Sequence, residues 1–183
     1  AGGGLALVPT ASEVPRNRDS LFPYRPDSYF YYLSGFPEPE AVVALVAGPD
    51  GDRHVLFCRE KNDGREVSGG FRYGPQTAAE AFGFSEAHPI ASLEQKLPEL
   101  IANRSVLWHS LGHDADWDRR IANALNSVRA ESRSGTRAPG EIRDLRNLLD
   151  QMRLIKDAHE IDCMRRAADI ASAGHACAMR ACR

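Results

Sequence analysis

A proline-containing segment near the start of the chain combines charged and aromatic side chains. Residues 16–25 read Arg-Asn-Arg-Asp-Ser-Leu-Phe-Pro-Tyr-Arg, so Asp19 and Arg25 lie close in sequence to Phe22 and Tyr24. Because ionised donors and acceptors form the stronger hydrogen bonds, Asp19 and Arg25 could bind the amine and carbonyl ends of a peptide or hold a partner subunit. A charged loop is more commonly solvated surface, and the residue types leave both interpretations open.

A second candidate site is a group of histidines and aspartates in the second half of the chain. His109 and His113 are four residues apart, and Asp114 and Asp116 follow them. Histidines at this spacing share a helical face and could bind a metal. Gly112 interrupts the spacing, however, and an Asp just before a helical pattern is a common N-cap. The pattern favours a strand ending near His109 and a helix capped by Asp114 or Asp116.

Other kinds of chemistry find little support. No Gly-x-Ser-x-Gly motif surrounds a serine. The four cysteines form no Cys-x-x-Cys pair, so we expect reduced thiols and predict neither a zinc ribbon nor a disulfide framework. The glycine-rich stretches lack the Lys-Ser/Thr of a phosphate loop. Nucleophilic catalysis and nucleotide binding are therefore not predicted.

The elements that must position these residues begin with strand patterns. The apolar runs 41–47 and 54–57, separated by Gly-Pro-Asp-Gly, predict a hairpin in a central sheet. The aromatic-rich run 29–33 is also predicted to be a strand. Residues 10–18 and the glycine-rich stretch 62–74 are predicted to be loops, of which the second could closely approach a ligand or partner.

Helical patterns follow and alternate with a further strand at 106–108. Helices are predicted at 78–82, 93–102 and 117–128. The alternation predicts an α/β fold, with a mixed β-sheet flanked by helices.

The C-terminal part has a clear helical period. Asp157 and Glu160 fit a capping box, and apolar residues recur at spacings of three and four as far as Cys182. Because no stop signal precedes Arg183, we expect this helix to be cut short or to continue, and a terminal helix packed on its own domain or on a second copy is the alternative. The chain opens on Ala1 rather than Met, so we also expect it to begin inside a longer product.

Composition excludes several classes of protein. The chain has 183 residues, 43% of them apolar, which suits one domain or one domain and a piece of another. The formal net charge of −2 favours neither nucleic acid nor an anionic membrane as a partner. The longest apolar run, 41–47, is far shorter than the roughly 18 residues of a membrane helix. We therefore predict a soluble, cytoplasmic protein.

Two stretches resemble a known family. The run 16–41, which contains Phe-Pro-Tyr-Arg and Gly-Phe-Pro-Glu-Pro-Glu-Ala, resembles the N-terminal domain of aminopeptidase P, the Xaa-Pro aminopeptidase family. The motif Met-Arg-Leu-Ile-Lys at 152–156, with residues 160–168, resembles the linker and first helix of that family's catalytic domain. These motifs favour aminopeptidase P over prolidase and creatinase, which share the fold.

The resemblance implies a creatinase/aminopeptidase P N-terminal domain, ribonuclease H-like, over residues 1–153, and a linker with the first catalytic-domain helix over 154–183. It implies a parent enzyme that removes the N-terminal residue preceding proline. That enzyme would use two divalent metals, commonly manganese, whose ligands all lie beyond this chain. The chain is then expected to be inactive by itself and to supply oligomer contacts and active-site walls. A stand-alone protein-binding module with a creatinase-like fold is the alternative.

The resemblance also nominates substrate-side residues. Asp19 matches a family Asp that reaches an active site, in part that of a neighbouring subunit. Arg133 matches a family Arg near the substrate, and a surface cation is its alternative. Tyr24 and Arg25 belong to the shared motif, where they would line the site or brace the loop.

One position departs from the family pattern. Ser68 stands before Gly70 and Arg72 where the family often has a Trp that closes over the substrate. Ser68 and Arg72 are the residues that this loop would bring to the rim of the site. A large apolar contact is missing there, and Phe71 or Tyr73 could substitute for it.

Overall fold

The computed structural model describes residues 3–49 and 51–182, apart from the side chain of Ser68. The chain divides into two compact units, Ala1–Arg146 and Asn147–Arg183. The first unit contains the β-sheet and the candidate site.

The first unit is built on a six-stranded sheet whose spatial order is β6-β5-β4-β1-β7-β8. The strands, in chain order, are β1 Gly4–Pro9, β2 Pro15–Asn17, β3 Ser20–Leu21, β4 Val42–Val46, β5 Arg53–Cys58, β6 Glu86–Pro89, β7 Val106–Trp108 and β8 Glu141–Arg143. In the six-stranded sheet β4 runs antiparallel to β1 and β5, and the remaining pairs are parallel. β2 and β3 form a separate two-stranded ribbon.

The hairpin predicted from the two apolar runs is confirmed as β4 and β5. Val42 pairs with Phe57 and Val46 with Arg53. Both strands are largely buried. Because a strand covered on both faces needs apolar side chains on each face, its residues are apolar in succession and do not alternate with polar ones. Gly51, with a φ of 101°, donates its N–H to the Gly48 carbonyl at 3.1 Å. Asp50 of the predicted turn lies outside the described residues.

Helices flank the sheet, as the alternating pattern predicts. In the first unit they are α1 Ser28–Ser34, α2 Asp63–Gly69, α3 Gly74–Phe82, α4 Leu93–Ile101 and α5 Ala115–Ala130. The helices α6 Leu145–Leu154 and α7 Ala158–Ala181 follow in the chain. The helices predicted at 78–82, 93–102 and 117–128 are thereby confirmed as α3, α4 and α5. Within the described part of the chain, no helix combines the length and the apolar character that crossing a membrane requires.

The main hydrophobic core lies between the sheet and helices α4 and α5. Its buried strand residues include Leu5, Leu7, Val42, Phe57 and Leu107, and its helical residues include Leu93, Leu97, Ile101, Ile121 and Leu125.

The strand predicted at 29–33 is wrong, because these residues form α1. The Asp27 side chain accepts hydrogen bonds from the N–H groups of Tyr29 and Phe30, and Gly35 ends the helix in the left-handed conformation. Phe30 is the buried residue of this helix. Local capping therefore outweighs the β-propensity of the aromatic side chains.

Two loop predictions also need correction. Within 62–74, α2 forms because the Asn62 side chain caps it by accepting the Arg65 N–H at 3.0 Å. Within 10–18, the last residues form β2, which pairs with β3 in the exposed ribbon. Glycine-rich and charged composition concealed both elements.

The second unit contains the predicted long helix as α7. The Asp157 carboxylate accepts the Glu160 N–H, and the Glu160 carboxylate accepts the Asp157 N–H, each at 2.8 Å. The capping box predicted from sequence is thus confirmed.

Candidate functional site

The predicted substrate-side residues must be placed relative to the ends of the strands. β1, β5, β6, β7 and β8 run in the same direction, so their carboxyl ends lie on one side of the sheet. We call this side the carboxyl end. Ligands of open α/β sheets bind at carboxyl ends of strands, where loops gather polar groups.

Tyr24 lies at the carboxyl end, where its hydroxyl contacts two loops. It lies 2.6 Å from the Thr10 hydroxyl, just after β1, and donates to the Ala11 carbonyl at 3.3 Å. It also approaches the carbonyl oxygen of Glu38 at 3.5 Å, just before β4. Burial raises the pKa of Tyr24, which keeps its hydroxyl a donor. Tyr24 therefore links the loop after β1 to the loop before β4. A contact between Tyr24 and substrate stays a prediction.

Glu38 and Arg59 form a buried ion pair beside Tyr24. Glu38 is 6% exposed and Arg59 is 8% exposed, and Arg59 Nη2 lies 3.6 Å from Glu38 Oε2. The other carboxylate oxygen, Oε1, accepts the Tyr73 N–H at 2.7 Å. Charged side chains are almost never buried unless they are paired. Sequence reasoning missed this pair, although a charged residue directly after the apolar run of β5 was a usable signal.

The ion pair is held by charge more than by hydrogen bonds. A separation of 3.6 Å exceeds a normal hydrogen bond. Glu38 Oε2, Arg59 Nε and Arg72 Nε are buried and have no hydrogen-bond partner among the residues that the structure describes. Since breaking a buried pair leaves an uncompensated charge, loss of either partner is expected to be costly.

Arg72 belongs to a loop that closes on itself. Gly74, with a φ of 69°, approaches the Lys61 backbone so closely that a Cβ there would lie 3.1 Å from the Lys61 nitrogen. Between these ends, Glu66 Oε1 accepts the Arg72 N–H at 3.0 Å and lies 3.5 Å from Lys61 Nζ. We call residues 61–74 the 61–74 loop. Its ends meet as in other compact surface loops that are packed by their own side chains.

The two aromatic residues of the 61–74 loop contact each other edge to face, with ring centroids 5.0 Å apart, but differ in exposure. The Tyr73 ring packs between Phe36 and Phe82, at centroid distances of 5.9 and 5.1 Å. Phe71 is 60% exposed, with the Lys61 ammonium 4.9 Å from its ring centroid. Of the two proposed substitutes for the family Trp, Tyr73 is committed to internal packing and Phe71 is accessible.

Ser68 lies in the last turn of α2, and its side chain lies outside the described part of the structure. A Cβ at the neighbouring Gly69 would lie 4.0 Å from Arg72 Nη2. The Arg72 guanidinium therefore lies close to the end of α2.

Asp19 and Arg25 are exposed residues on either side of β3. Asp19 lies in the turn of the ribbon, where its N–H donates to the Asn17 side-chain oxygen at 3.3 Å. The Phe22 N–H donates to the Val14 carbonyl at 3.0 Å and so closes the ribbon. Their exposure agrees with solvated surface and leaves a partner contact untested.

Arg133 lies at the opposite end of the sheet. It belongs to a 3₁₀ turn, Glu131–Ser134, that follows α5. The chain then passes the start of β7, where the Asn103 N–H donates to the Arg137 carbonyl at 2.8 Å and the Gly140 N–H to the Ser105 carbonyl at 3.2 Å. The fold thus separates Arg133 from the residues at the carboxyl end.

The histidine and aspartate group forms a helix cap. Asp114 Oδ1 accepts the N–H groups of Asp116 and Trp117 at 2.9 and 3.1 Å, which confirms Asp114 as the N-cap of α5. His109 is 3% exposed, and its Nε2 lies 4.0 Å from Asp118 Oδ1.

Burial determines the protonation of His109. It lowers the pKa of His109, against the opposing influences of the Leu7 carbonyl and Asp118. Nδ1 lies 3.5 Å from that carbonyl oxygen. His109 is therefore a neutral packing residue near neutral pH.

The helical-face arrangement that a metal would need does not form at this group. His109 follows β7, and Gly112 has a φ of 82°, so the two histidines do not lie on one helix. Across residues 3–49 and 51–182, no three His, Cys, Asp or Glu side chains are grouped so that they could hold a metal ion.

The six-stranded mixed sheet and the helices that flank it make this an α/β domain. A buried ion pair and the hydrogen bonds of Tyr24 lie at the carboxyl end of its sheet. A family model described as aminopeptidase P, N-terminal domain, matches residues 1–108. The chain therefore belongs to the aminopeptidase P N-terminal domain family.

Relatives and solved structures agree with that assignment. The chain is 38% identical over 182 residues to the Xaa-Pro aminopeptidase of Escherichia coli strain K12, covering 99% of this chain and 41% of the relative. It is 34% identical to the Haemophilus influenzae Xaa-Pro aminopeptidase, covering 93% of this chain and 37% of that one. The chain thus spans about two fifths of the length of these relatives.

The structural similarity is equally extensive. The Pseudomonas aeruginosa aminopeptidase PepP aligns with a TM-score of 0.91 and 40% identity, over 96% of this chain and 40% of that one. A zinc-substituted E. coli aminopeptidase P in complex with product aligns with a TM-score of 0.90 and 36% identity, over 95% and 40%. The predicted fold class is confirmed.

Proposed function

We propose that this chain is the non-catalytic N-terminal part of an Xaa-Pro aminopeptidase, a metallopeptidase that hydrolyses the bond before proline in the second position of a peptide. The observation that carries the proposal is the 38% identity across 99% of this chain to a relative named for that activity. In this role the chain supplies walls of the substrate site, and proline-containing peptides are its partners through the whole enzyme.

We assign the metals and the substrate-site walls to different domains, because of the side chains that the described residues offer. The peptidase reaction needs an activated water, which a divalent metal supplies when bound. The described residues hold no group of three ligands for such an ion, so they do not fit the metal pair of the family. We propose that the two metals, manganese in our assignment, are held by a catalytic domain that begins with the linker and helix at 154–183. Residues 1–153 are then the N-terminal domain.

The rim of the substrate site is proposed to use residues from two copies of the chain. Tyr24 and Arg72 lie at the carboxyl end of the sheet, with Ser68 on the same loop as Arg72. Arg133 lies at the other end, so one copy cannot bring Arg133 to the same small site as Tyr24. A homo-oligomer, in which Asp19 and Arg25 of the exposed ribbon contact a neighbour, supports both assignments.

The test compares the 183-residue chain with the full-length protein that contains it. Each is incubated with manganese and a peptide whose second residue is proline, and the released amino acid is measured. We expect release by the full-length protein, abolished by a chelator, and none by the 183-residue chain. A peptide with alanine in the second position is the control for proline specificity.

Three outcomes would contradict the proposal. Chelator-sensitive release by the 183-residue chain would place the metal site within it. No release by a folded full-length protein would favour the binding-module alternative. Equal hydrolysis of the proline and alanine peptides would remove the substrate assignment.

We also propose a cytoplasmic location without nucleic-acid or membrane partners, which cell fractionation tests directly.

A further inference from the structure

We propose that Glu38 is a positioning residue, which holds the 61–74 loop so that Arg72 can contact the substrate. The inference rests on the proposed function, because the substrate contact of Arg72 is part of it. Glu38 was not among the residues nominated from the sequence, and it acts through the backbone of Tyr73 without touching the substrate.

The first support is the hydrogen bond from the loop to Glu38. Glu38 Oε1 accepts the Tyr73 N–H at 2.7 Å, at the peptide bond that joins Arg72 to Tyr73. Because a peptide unit is planar, an anchor on that N–H also restrains the carbonyl group of Arg72. Glu38 is 6% exposed, so water competes poorly for its carboxylate.

The second support is that one carboxylate serves both ends of the loop. Arg59, which pairs with Glu38 Oε2, precedes the start of the loop at Lys61. Tyr73, which donates to Oε1, precedes its end at Gly74. Glu38 itself is attached to the sheet through the residues that lead into β4. The two oxygens therefore connect both ends of the loop to the body of the domain.

The third support is the contrast with Glu66, the other acid that contacts this region. Glu66 accepts the Arg72 N–H and pairs with Lys61, and both partners belong to the loop. Such contacts shape the loop but move with it. Glu38 lies outside the loop, so its contacts can set where the loop stands.

The first experiment measures the hydrogen bond between the Tyr73 N–H and Glu38 directly, without an activity assay. Amide hydrogen exchange is recorded on the 183-residue chain and on Glu38→Gln and Glu38→Ala. Glutamine keeps an acceptor oxygen for the Tyr73 N–H, whereas alanine removes it. We expect the Tyr73 amide to exchange about tenfold faster in E38A than in E38Q, because a buried donor loses its partner. Equal Tyr73 exchange in the two variants would overturn the inference.

A second pair of variants controls for the charge left on Arg59. Both substitutions are repeated with Arg59→Met, which removes the unpaired cation and keeps the comparison interpretable if the single variants fold poorly. The amides of β4 serve as the internal reference for global stability. Faster exchange of Tyr73 relative to β4 in E38A/R59M, but not in E38Q/R59M, is the expected result.

The second experiment asks whether the hydrogen bond between Tyr73 and Glu38 affects the KM for the substrate. In the full-length protein, E38A is compared with Leu97→Ala. Leu97 lies on α4 in the main hydrophobic core, outside the 61–74 loop, and its truncation opens a cavity there. We expect KM for a proline peptide to rise about threefold to tenfold in E38A, with kcat nearly unchanged and E38Q restoring KM. L97A should lower stability without raising KM.

The outcomes separate the inference from the proposed function. Wild-type protein that hydrolyses the peptide, with equal KM in E38A and wild type, would overturn the role of Glu38 and leave the function intact. Wild-type protein without hydrolysis would overturn the proposed function, while the exchange experiment would still report on the hydrogen bond between Tyr73 and Glu38. A rise of KM in L97A equal to that in E38A would show that stability alone explains the effect.

Discussion

Two corners at the carboxyl end of the sheet bury titratable side chains in different ways. In the ion-pair corner, where β5 ends and β4 begins, Glu38 and Arg59 carry opposite charges and connect separate segments. In the capping corner, where β7 leads into α5, Asp114 satisfies the helix N-terminus and His109 stays neutral through burial. The Glu38 carboxylate joins two other segments of the chain, whereas the hydrogen bonds of the Asp114 cap stay within the first turn of α5.

The difference shows which kind of polar group is suited to positioning a site. A helix cap satisfies the orphan N–H groups of its own helix, so its effect stays with that helix. A buried ion pair with a further hydrogen bond holds several segments at once, and its geometry depends on all of them. The ion-pair corner is therefore the part of the domain where a single substitution can move a loop.

The largest expected effect concerns Cys58, the last residue of β5 beside the ion pair. Burial, and to a smaller extent the carboxylate of Glu38, raises the pKa of the Cys58 thiol to about 12. Since the thiolate is the reactive species, iodoacetamide at pH 8 should alkylate Cys58 at least about a thousandfold more slowly than exposed cysteines. Peptide mass spectrometry over time measures this, with Cys163, Cys177 and Cys182 as exposed references. Comparable rates would mean that the corner opens freely.

Removing one charge of the ion pair should be the next largest effect. Arg59→Met leaves the buried Glu38 carboxylate without its cation and should lower the free energy of unfolding by about 3–5 kcal/mol. Adding Glu38→Gln to that variant should recover most of the loss. Urea unfolding monitored by circular dichroism gives the values.

The matched control for that prediction is the surface pair of Arg53 and Glu86. These side chains are 43% and 39% exposed and lie 2.9 Å apart. Arg53→Met should cost less than about 1 kcal/mol, because exposed ion pairs contribute little. If R53M and R59M were equally destabilised, burial would not be what distinguishes the ion-pair corner.

Removing the cap should produce a smaller loss at the capping corner. Asp114→Ala deprives α5 of the acceptor for two N–H groups and should lower the free energy of unfolding by about 1 kcal/mol. Asp116→Ala is the comparison, because Asp116 lies in the first turn but does not cap it. Thermal unfolding of both variants decides between them, and an equal or greater loss in D116A would contradict the assignment of the cap.

The smallest effect should be the pH dependence contributed by His109. Its pKa is lowered by burial in the folded protein, so above the unfolded value of about 6.5 both states are neutral and nothing is lost. As the pH falls below that value, the unfolded state binds a proton first, and stability declines until the folded pKa is passed.

His109→Gln should remove this part of the decline, and His113→Gln, at an exposed position, should retain it. Free energies of unfolding measured between pH 7.5 and pH 5, a range chosen to bracket about 6.5, provide the test. Equal slopes for wild type and H109Q would show that His109 is protonated equally in both states.

Part of the candidate site could be predicted from the sequence. Asp114 was one of two caps offered by the pattern, and Tyr24 was nominated from its motif. Glu38 was not nominated, because nothing in its neighbourhood indicates that it meets Arg59 and Tyr73. The strand predicted for α1 was wrong because propensity was weighed above the cap at Asp27.

The residue pattern alone predicted the alternation of strands and helices, the β4–β5 hairpin and the capping box of α7, and the motifs of residues 16–41 indicated the family. These predictions rest on periodicity, turn residues, capping pairs and motifs, each of which can be recognised within a continuous stretch of the chain. The folded domain was needed to show that Arg133 lies at the opposite end of the sheet from Tyr24, and that Glu38 contacts both ends of the 61–74 loop. Those relations depend on the order and direction of strands, which bring distant residues together and bury their charges.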